Sequence, residues 1–112
     1  MDSPVDALID AAARPFSAAG RFARHFAHGK LRHDPVYLAL LERGVFPDRV
    51  RVLDLGCGQG ILLSLLVAAR EQYLAGTWPE GWPAPPGTLR LRGIEQRRAD
   101  VRRARLALGA YA

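Results

Sequence analysis

The chain is poor in cysteine, lysine and methionine, with one of each among its 112 residues. A single cysteine excludes a disulfide within the chain and is typical of a reducing compartment. The N-terminus carries acidic residues where a signal peptide would be basic. No apolar run approaches the roughly 20 residues of a membrane helix. These absences predict a cytoplasmic protein that has no membrane partner.

The length and composition allow one small domain. The chain is 49% hydrophobic, which is enough for a modest core. Residues 1–46 have only helical patterns, whereas residues 47–112 contain two stretches that are typical of strands. We therefore predict a helical N-terminal extension over residues 1–46, which could act as a lid, and an α/β unit over residues 47–112.

Three helices are predicted in the extension. Their first residues are expected to be the capping residues Ser3, Ser17 and Asp34. Their ends are expected at about Ala13, at Gly29 and at Gly44. The segment between the second and third helices concentrates polar groups. Arg32 or Tyr37 could approach a ligand from there, and a solvated connector is the alternative.

The most informative stretch is VLDLGCGQG, residues 52–60, which is followed at once by the apolar run ILLSLLVAA. Its first half predicts a short buried strand, its glycines a tight turn, and the apolar run a helix. Backbone N–H groups at the start of such a helix are free to meet a carboxylate or a phosphate. The stretch therefore predicts a site for a nucleotide-type cofactor.

The spacing of the glycines separates the classes of cofactor loop. A triphosphate-binding loop needs a lysine followed by serine or threonine, but Ile61 and Leu62 stand in those places. A dinucleotide fingerprint has the pattern G-x-G-x-x-G, and here the third glycine, Gly60, comes one residue early. What remains is D-x-G-x-G-x-G, in which the acid is Asp54.

This pattern closely resembles the first motif of the class I S-adenosylmethionine-dependent methyltransferases. The resemblance implies S-adenosylmethionine as the cofactor, with the turn against its amino-acid end and Asp54 orienting the turn through hydrogen bonds. The implied cofactor-binding residues are Asp54, Gly56, Cys57, Gly58, Gln59 and Gly60. Asp54 could instead only tie down its own turn. Cys57 is expected to contribute its backbone and not to act as a nucleophile, because no histidine lies nearby in the sequence.

A second stretch, LRLRGIEQ at residues 89–96, predicts a strand that ends in an acid. A carboxylate there can accept hydrogen bonds from both ribose hydroxyls. Glu95 therefore looks like the ribose-binding acid of the same family, and Gln96 stands where the family often contacts the cofactor near the adenine. The alternative for Glu95 is a favourable charge at the N-terminus of the next helix.

The two motifs are unusually far apart. Glu95 lies 41 residues after Asp54, whereas comparable cofactor folds place the acid about 20 residues after the loop. The excess is a Pro- and Gly-rich loop predicted over residues 77–88. Trp78 and Trp82 are expected to pin this loop onto the domain, and a binding surface is the alternative.

The positive charge favours a different hypothesis, a basic nucleic-acid-binding module. The net charge is +5 and the predicted last helix is rich in arginine. Those arginines are Arg97, Arg98, Arg102, Arg103 and Arg105. No aromatic residues interleave with them as a stacking platform requires, and an apolar stripe (Val101, Ala104, Leu108) makes the helix amphipathic. Nucleic acid is therefore the less favoured partner. The histidines have no accompanying ligand set, so no metal site is expected.

The resemblance covers residues 49–109, whereas class I methyltransferases have a seven-stranded sheet. It implies a Rossmann-like α/β fold truncated after the second strand and second helix, which would supply the first half of the cofactor site. We expect these 112 residues alone to bind the cofactor weakly or not at all. No residue is assigned to catalysis. The expected activity of the complete enzyme is methyl transfer to a small-molecule acceptor, and the alternatives are a catalytically inert fragment or the basic module.

Overall fold

The computed structural model describes residues 3–109. The elements in chain order are α1 (Pro4–Ala13), a 3-10 helix (Arg14–Ala19), α2 (Arg21–His33), α3 (Pro35–Glu42), β1 (Arg49–Leu55), α4 (Ile61–Leu74), β2 (Thr88–Ile94) and α5 (Arg98–Leu108). β1 and β2 pair in parallel, with Val52 opposite Leu91 and Leu55 opposite Ile94. The predicted α/β class is confirmed.

Side-chain caps set the starts of α1 and α3. The hydroxyl oxygen of Ser3 accepts a hydrogen bond from the backbone N–H of Asp6 at 3.1 Å, and Pro4 occupies the first helical position. The carboxylate of Asp34 accepts from the backbone N–H of Val36, also at 3.1 Å. Each cap satisfies an N–H that the first turn of a helix leaves without a partner. Both predicted starts are confirmed.

The prediction for the second helix is wrong at both ends. Ser17 lies inside the 3-10 helix, and its hydroxyl accepts from the guanidinium of Arg24 instead of capping a helix. α2 begins after Gly20 and runs through Gly29 to His33. Its buried residues, Ala23, Ala27 and Leu31, recur every fourth position. This packed row outweighs the roughly 1 kcal/mol that a glycine costs within a helix.

The main core lies between the N-terminal helices and α4. Its fully buried side chains include Leu8, Ile9, Phe16, Leu31, Leu65 and Leu66. The buried hydroxyl of Ser64 in α4 donates a hydrogen bond of 2.7 Å to the carbonyl of Ala12 in α1. The extension and α4 therefore share one core, and a hinged lid built from the extension would have to expose it.

The two faces of the sheet have different surroundings. Val52, Leu89 and Leu91 are partly buried against the core. On the opposite face, Leu53 is 57% exposed and Leu55 is 71% exposed. Parallel sheets usually have both faces covered. Within residues 3–109 the packing of this sheet is one-sided.

The long loop between α4 and β2 spans residues 75–87. The indole N–H of Trp78 donates to the carbonyl of Pro83 at 3.0 Å. The rings of Trp78 and Trp82 meet edge to face, with centroids 5.8 Å apart, and both pack against the core. The tryptophans therefore pin the loop, as predicted. β2 begins at Thr88, which the prediction placed in the loop.

Candidate cofactor site

The turn between β1 and α4 has three glycines in the left-handed region. The φ angles of Gly56, Gly58 and Gly60 are 71°, 59° and 91°. An L-residue with a side chain pays roughly 1–2 kcal/mol for that conformation. A Cβ on Gly56 or Gly58 would meet no atom within 4 Å. Both glycines are therefore required by the backbone conformation, and the space beside them is open to a ligand.

Helix α5 packs against the third glycine. A Cβ on Gly60 would lie 3.0 Å from Cδ1 of Leu108 and 3.5 Å from Cβ of Ala104. The apolar stripe predicted on this helix therefore faces the glycine turn. Most of the arginines of α5 lie on its solvent side, and the half-buried Arg103 pairs with Asp100 at 2.9 Å.

Glu95 connects the two sequence motifs. Its Oε1 accepts a hydrogen bond from the backbone N–H of Gly58 at 2.9 Å, and its Oε2 accepts from that of Arg97 at 2.8 Å. The pKa of Glu95 is lowered, chiefly by the bond from Arg97 and then by that from Gly58. Each oxygen of an ionised carboxylate can accept a second bond. The carboxylate therefore binds the backbone at the start of α5, where the sequence predicts a favourable negative charge as one role for Glu95. It also binds the backbone of the glycine turn.

The end of β2 supports the same turn through its backbone. The carbonyl of Ile94 accepts from the N–H groups of Gly56 and Cys57, at 2.8 and 3.1 Å. These bonds continue the parallel pairing of the strands into the turn. The turn is therefore held by both the backbone of Ile94 and the side chain of Glu95.

Asp54 is the half-buried acid at the end of β1. Burial raises the pKa of its carboxyl group. Among residues 3–109 no group donates a hydrogen bond to this carboxylate, so Glu95 and not Asp54 binds the backbone of the turn. A desolvated carboxylate without a donor is costly unless a partner arrives. Asp54 is therefore suited to accept from a cationic or hydroxyl group of a ligand.

Tyr37 of α3 is partly buried against the core. Burial raises the pKa of its hydroxyl, and the charges of Asp34 and then Asp54 raise it further. The phenol therefore stays protonated at neutral pH and can donate a hydrogen bond. Arg32, the other residue considered in this segment, forms an ion pair with Asp6 at 2.7 Å. Only Tyr37 of the two is brought close to Asp54.

Cys57 packs on the end of β2. A Cβ added to Gly93 would lie 2.6 Å from its Sγ, so the sulfur fills the space that an alanine would need. The pKa of the thiol is raised by burial, and by the charges of Asp54 and Glu95. A protonated thiol is a poor nucleophile. The structure therefore supports a packing and backbone role for Cys57.

The two glutamines among the predicted cofactor-binding residues differ in exposure. Gln59 is buried, and its Nε2 donates a hydrogen bond of 2.8 Å to the carbonyl of Ala23 in α2. Its side chain therefore joins the glycine turn to the extension, and only its backbone can face a ligand in this arrangement. Gln96 is exposed, next to Glu95. Sequence reasoning did not anticipate the bond from Gln59 to Ala23.

A cavity of about 480 Å³ opens between α4, β2 and α5. Leu63, Leu91 and Val101 are among its mainly apolar lining residues, and Cys57 and Glu95 border it. Asp54 and the glycines at 56 and 58 do not line it. Of the polar groups that could orient a charged cofactor, Glu95 therefore borders this cavity, whereas Asp54 lies outside it at the end of β1.

Residues 3–109 contain no group of three His, Cys, Asp or Glu side chains placed to hold a metal ion. None of their helices combines the length and the apolar character needed to cross a membrane.

Comparison with protein-family models, curated proteins and solved structures gave no match.

Proposed function

We propose that this chain binds S-adenosylmethionine and supplies part of the cofactor site of a methyltransferase that acts on a small molecule. The observation that carries the proposal is the bond between Glu95 and Gly58. The two bonded residues belong to different sequence motifs and are 37 positions apart. The bond lies at the turn in which Gly56 and Gly58 have positive φ angles and open space beside them. The family resemblance independently selects the same residues.

The charges and hydrogen-bonding groups fit this cofactor. The carboxylate of Asp54 has no donor within residues 3–109 and can accept from the ammonium of the methionine end. Backbone N–H groups in the first turn of α4 can donate to the methionine carboxylate. Glu95 can accept from the ribose hydroxyls, and its charge would repel a phosphate at the 2′ position.

The bound cofactor would supply an electrophilic methyl group on its sulfonium. The contribution of the chain is positioning, because fixing two reactants in line can lower a barrier by roughly 7–11 kcal/mol. The neutral Tyr37 borders the proposed site through its interaction with Asp54 and can orient an acceptor by donating a hydrogen bond. No described residue is assigned a proton-transfer role. A small acceptor is favoured because the extension packs against α4, the helix that follows the glycine turn.

The proposal is tested with ligand-observed NMR at millimolar concentration, which detects weak binding. We expect S-adenosylhomocysteine to show saturable binding, and ATP and NAD to show much less. Glu95→Gln and Asp54→Asn should each weaken binding by about tenfold, the effect of losing a charged hydrogen bond. Glu80→Gln, at an exposed loop position, is the matched control. Equal binding of ATP, or unchanged affinity in both site variants, would contradict the proposal.

Binding alone does not separate an enzyme from an inert cofactor-binding fragment. The distinguishing assay follows formation of S-adenosylhomocysteine from S-adenosylmethionine in the presence of small phenols, amines and carboxylates. Product that depends on both the acceptor and Asp54 would support transfer. Cofactor binding without product from any acceptor would support the inert alternative.

A further inference from the structure

Helix α2 carries an exposed aromatic pair. The rings of Phe22 and Phe26 are stacked, with centroids 6.3 Å apart and planes at 24°. Phe22 is 74% exposed and Phe26 is 48% exposed. Positions four apart lie on one face of a helix, so the two rings form a single apolar surface. Contiguous exposed apolar surface marks interaction sites, whereas single exposed apolar residues are common on any protein.

The aromatic pair has no role in the core. The inner side of α2 is already provided by Ala23, Ala27 and Leu31, all of which are buried. Phe22 and Phe26 therefore lie on helix faces that the fold does not use. The exposed parts of the two rings forgo the favourable free energy of burial. A partner that covers the rings would recover this free energy.

Basic and imidazole side chains lie beside Phe22, the more exposed ring of the pair. A concavity of about 530 Å³ is lined by Asp10, Arg21, Phe22, Arg24, His25 and His28. The one carboxylate, that of Asp10, is offset by Arg14 at 2.6 Å and by Arg24 at 3.5 Å. Arg21 has no ion-pair partner within residues 3–109. The concavity therefore carries a positive charge next to an exposed ring.

From this juxtaposition we infer that α2 is a docking surface for single-stranded nucleic acid, with unpaired bases stacking on Phe22 and Phe26 and phosphates held by Arg21 and its neighbours. Proteins that bind single strands combine aromatic platforms with a positive groove. The arginines of α5 have no aromatic residues between them, so that helix lacks a stacking platform. On α2 the interleaving is present.

A membrane surface and a second copy of the chain match the α2 surface less well. A helix that lies on a membrane needs a broad apolar face, but the apolar residues of α2 other than the two phenylalanines are in the core. A second copy of the chain would bring two positively charged surfaces together, at a net charge of +5 each. A polyanion with exposed π faces matches both the charge and the rings.

The buried side of α2, which the exposed rings do not share, contacts the glycine turn. Gln59 of the turn binds the carbonyl of Ala23, the residue after Phe22. The inference does not depend on methyl transfer, because it rests on the exposed rings and the charge of α2.

The test is fluorescence anisotropy with labelled single-stranded DNA and RNA of about 12 nucleotides, within the usual site sizes of such proteins. We expect saturable binding at low salt, with a logarithmic salt slope near −1.4 if two phosphates are contacted. Phe22→Ala and Phe26→Ala should each weaken binding about tenfold, whereas the tyrosine variants retain it. A duplex of the same sequence should bind more weakly, because its bases are already stacked.

Arg21→Ala and Arg98→Ala form a matched pair, since each removes one exposed positive charge. We expect Arg21→Ala to weaken binding clearly more than Arg98→Ala, which lies on α5. Absence of binding at low salt would overturn the inference. So would alanine variants at both phenylalanines that bind like the parent chain. Phenylalanine-dependent binding to anionic vesicles, or dimer formation, without binding to the oligonucleotides would also overturn it.

Discussion

Glu95 and Gly58 are joined by a hydrogen bond of 2.9 Å from the backbone N–H of the glycine to Oε1 of the carboxylate. The second oxygen, Oε2, accepts from the N–H of Arg97 at 2.8 Å. One side chain thus ties the glycine turn to the end of β2 and to the start of α5. The shape of the proposed cofactor site depends on this connection.

Replacing Glu95 by Gln should make stability less dependent on pH. The backbone bonds from Arg97 and Gly58 lower the pKa of the Glu95 carboxyl below its ordinary value of 4.5. The folded state therefore binds the proton less tightly than the unfolded chain, so the carboxylate stabilises the fold above about pH 4.5. That contribution is lost as the pH falls through the lowered pKa of the folded state.

The measurement for this prediction is urea unfolding of both proteins from pH 3 to pH 7. The parent should be more stable than Glu95→Gln at pH 7, and the difference should disappear at the acidic end. Glu80→Gln, at an exposed position in the loop between α4 and β2, should change little at any pH. A difference that persists unchanged at low pH would show that the charge of Glu95 is not the cause.

Gly93→Ala should destabilise the protein by about 1–3 kcal/mol through overpacking. The new Cβ would lie 2.6 Å from Sγ of Cys57 and 3.1 Å from Cδ1 of Leu63. Removing the sulfur in Cys57→Ala should relieve part of this clash, so the double variant should lose less than the sum of the single variants. Chemical denaturation of the four proteins measures this coupling.

Gly29→Ala is the control for a glycine without a close neighbour. Gly29 lies within α2, and a Cβ there would meet nothing within 4 Å. Because glycine in a helix interior costs about 0.5–1 kcal/mol relative to alanine, this variant should be more stable than the parent. Destabilisation by both alanine substitutions would argue against a specific contact between Gly93 and Cys57.

Gln59→Ala should cost about 0.5–1.5 kcal/mol of stability, because it removes the buried hydrogen bond of 2.8 Å to the carbonyl of Ala23. Gln96→Ala, at an exposed position, should change the free energy of unfolding by no more than about 0.5 kcal/mol. Thermal or urea unfolding measures both. Equal effects of the two substitutions would mean that the bond between the turn and α2 contributes nothing.

Asp54→Asn should stabilise the protein at neutral pH while weakening cofactor binding. Burial raises the pKa of the Asp54 carboxyl above 3.8, so its contribution to stability is present below that pH and is lost as the pH rises through the raised pKa. The amide avoids the desolvated charge but cannot pair with an ammonium group. Functional sites often show such a trade of stability for binding.

Melting temperatures at pH 7 and pH 3.5 test this prediction. The stabilisation by Asp54→Asn should be present at pH 7 and largely absent at pH 3.5. Asp48→Asn, at an exposed aspartate just before β1, should not reproduce it. A lower melting temperature for Asp54→Asn at pH 7 would mean that the carboxylate has a stabilising partner in the fold.

Features that depend on local backbone chemistry could be predicted from the sequence. The turn at residues 56–60 follows from glycines in positive-φ positions, and the starts of α1 and α3 follow from Ser3 and Asp34 as caps. The predicted start of α2 is wrong because Ser17 has the local pattern of a helix cap, whereas its hydroxyl accepts a hydrogen bond from the guanidinium of Arg24. Gly29 did not end α2 because the buried row on that helix continues past it.

The contacts within the site could not be predicted in the same way. Residue spacing placed Glu95 at the end of a strand, but the bond to Gly58 depends on how the strands pair. The approach of Tyr37 to Asp54 depends on the docking of α3, for which one sequence carries no local signal. The binding of Gln59 to Ala23 likewise requires the packed core. Contacts between distant segments follow from tertiary packing.

The most direct test of the proposed cofactor site is protein-observed NMR on the isotopically labelled chain, titrated with S-adenosylhomocysteine to millimolar concentration. The proposal predicts saturable shifts in the amide signals of residues 54–60 and of Glu95 and Gln96, and these shifts should weaken in Asp54→Asn. Shifts confined to the cavity around Val101 would contradict a cofactor site at the glycine turn, and the absence of any saturable shift would contradict the proposal that this chain binds the cofactor by itself.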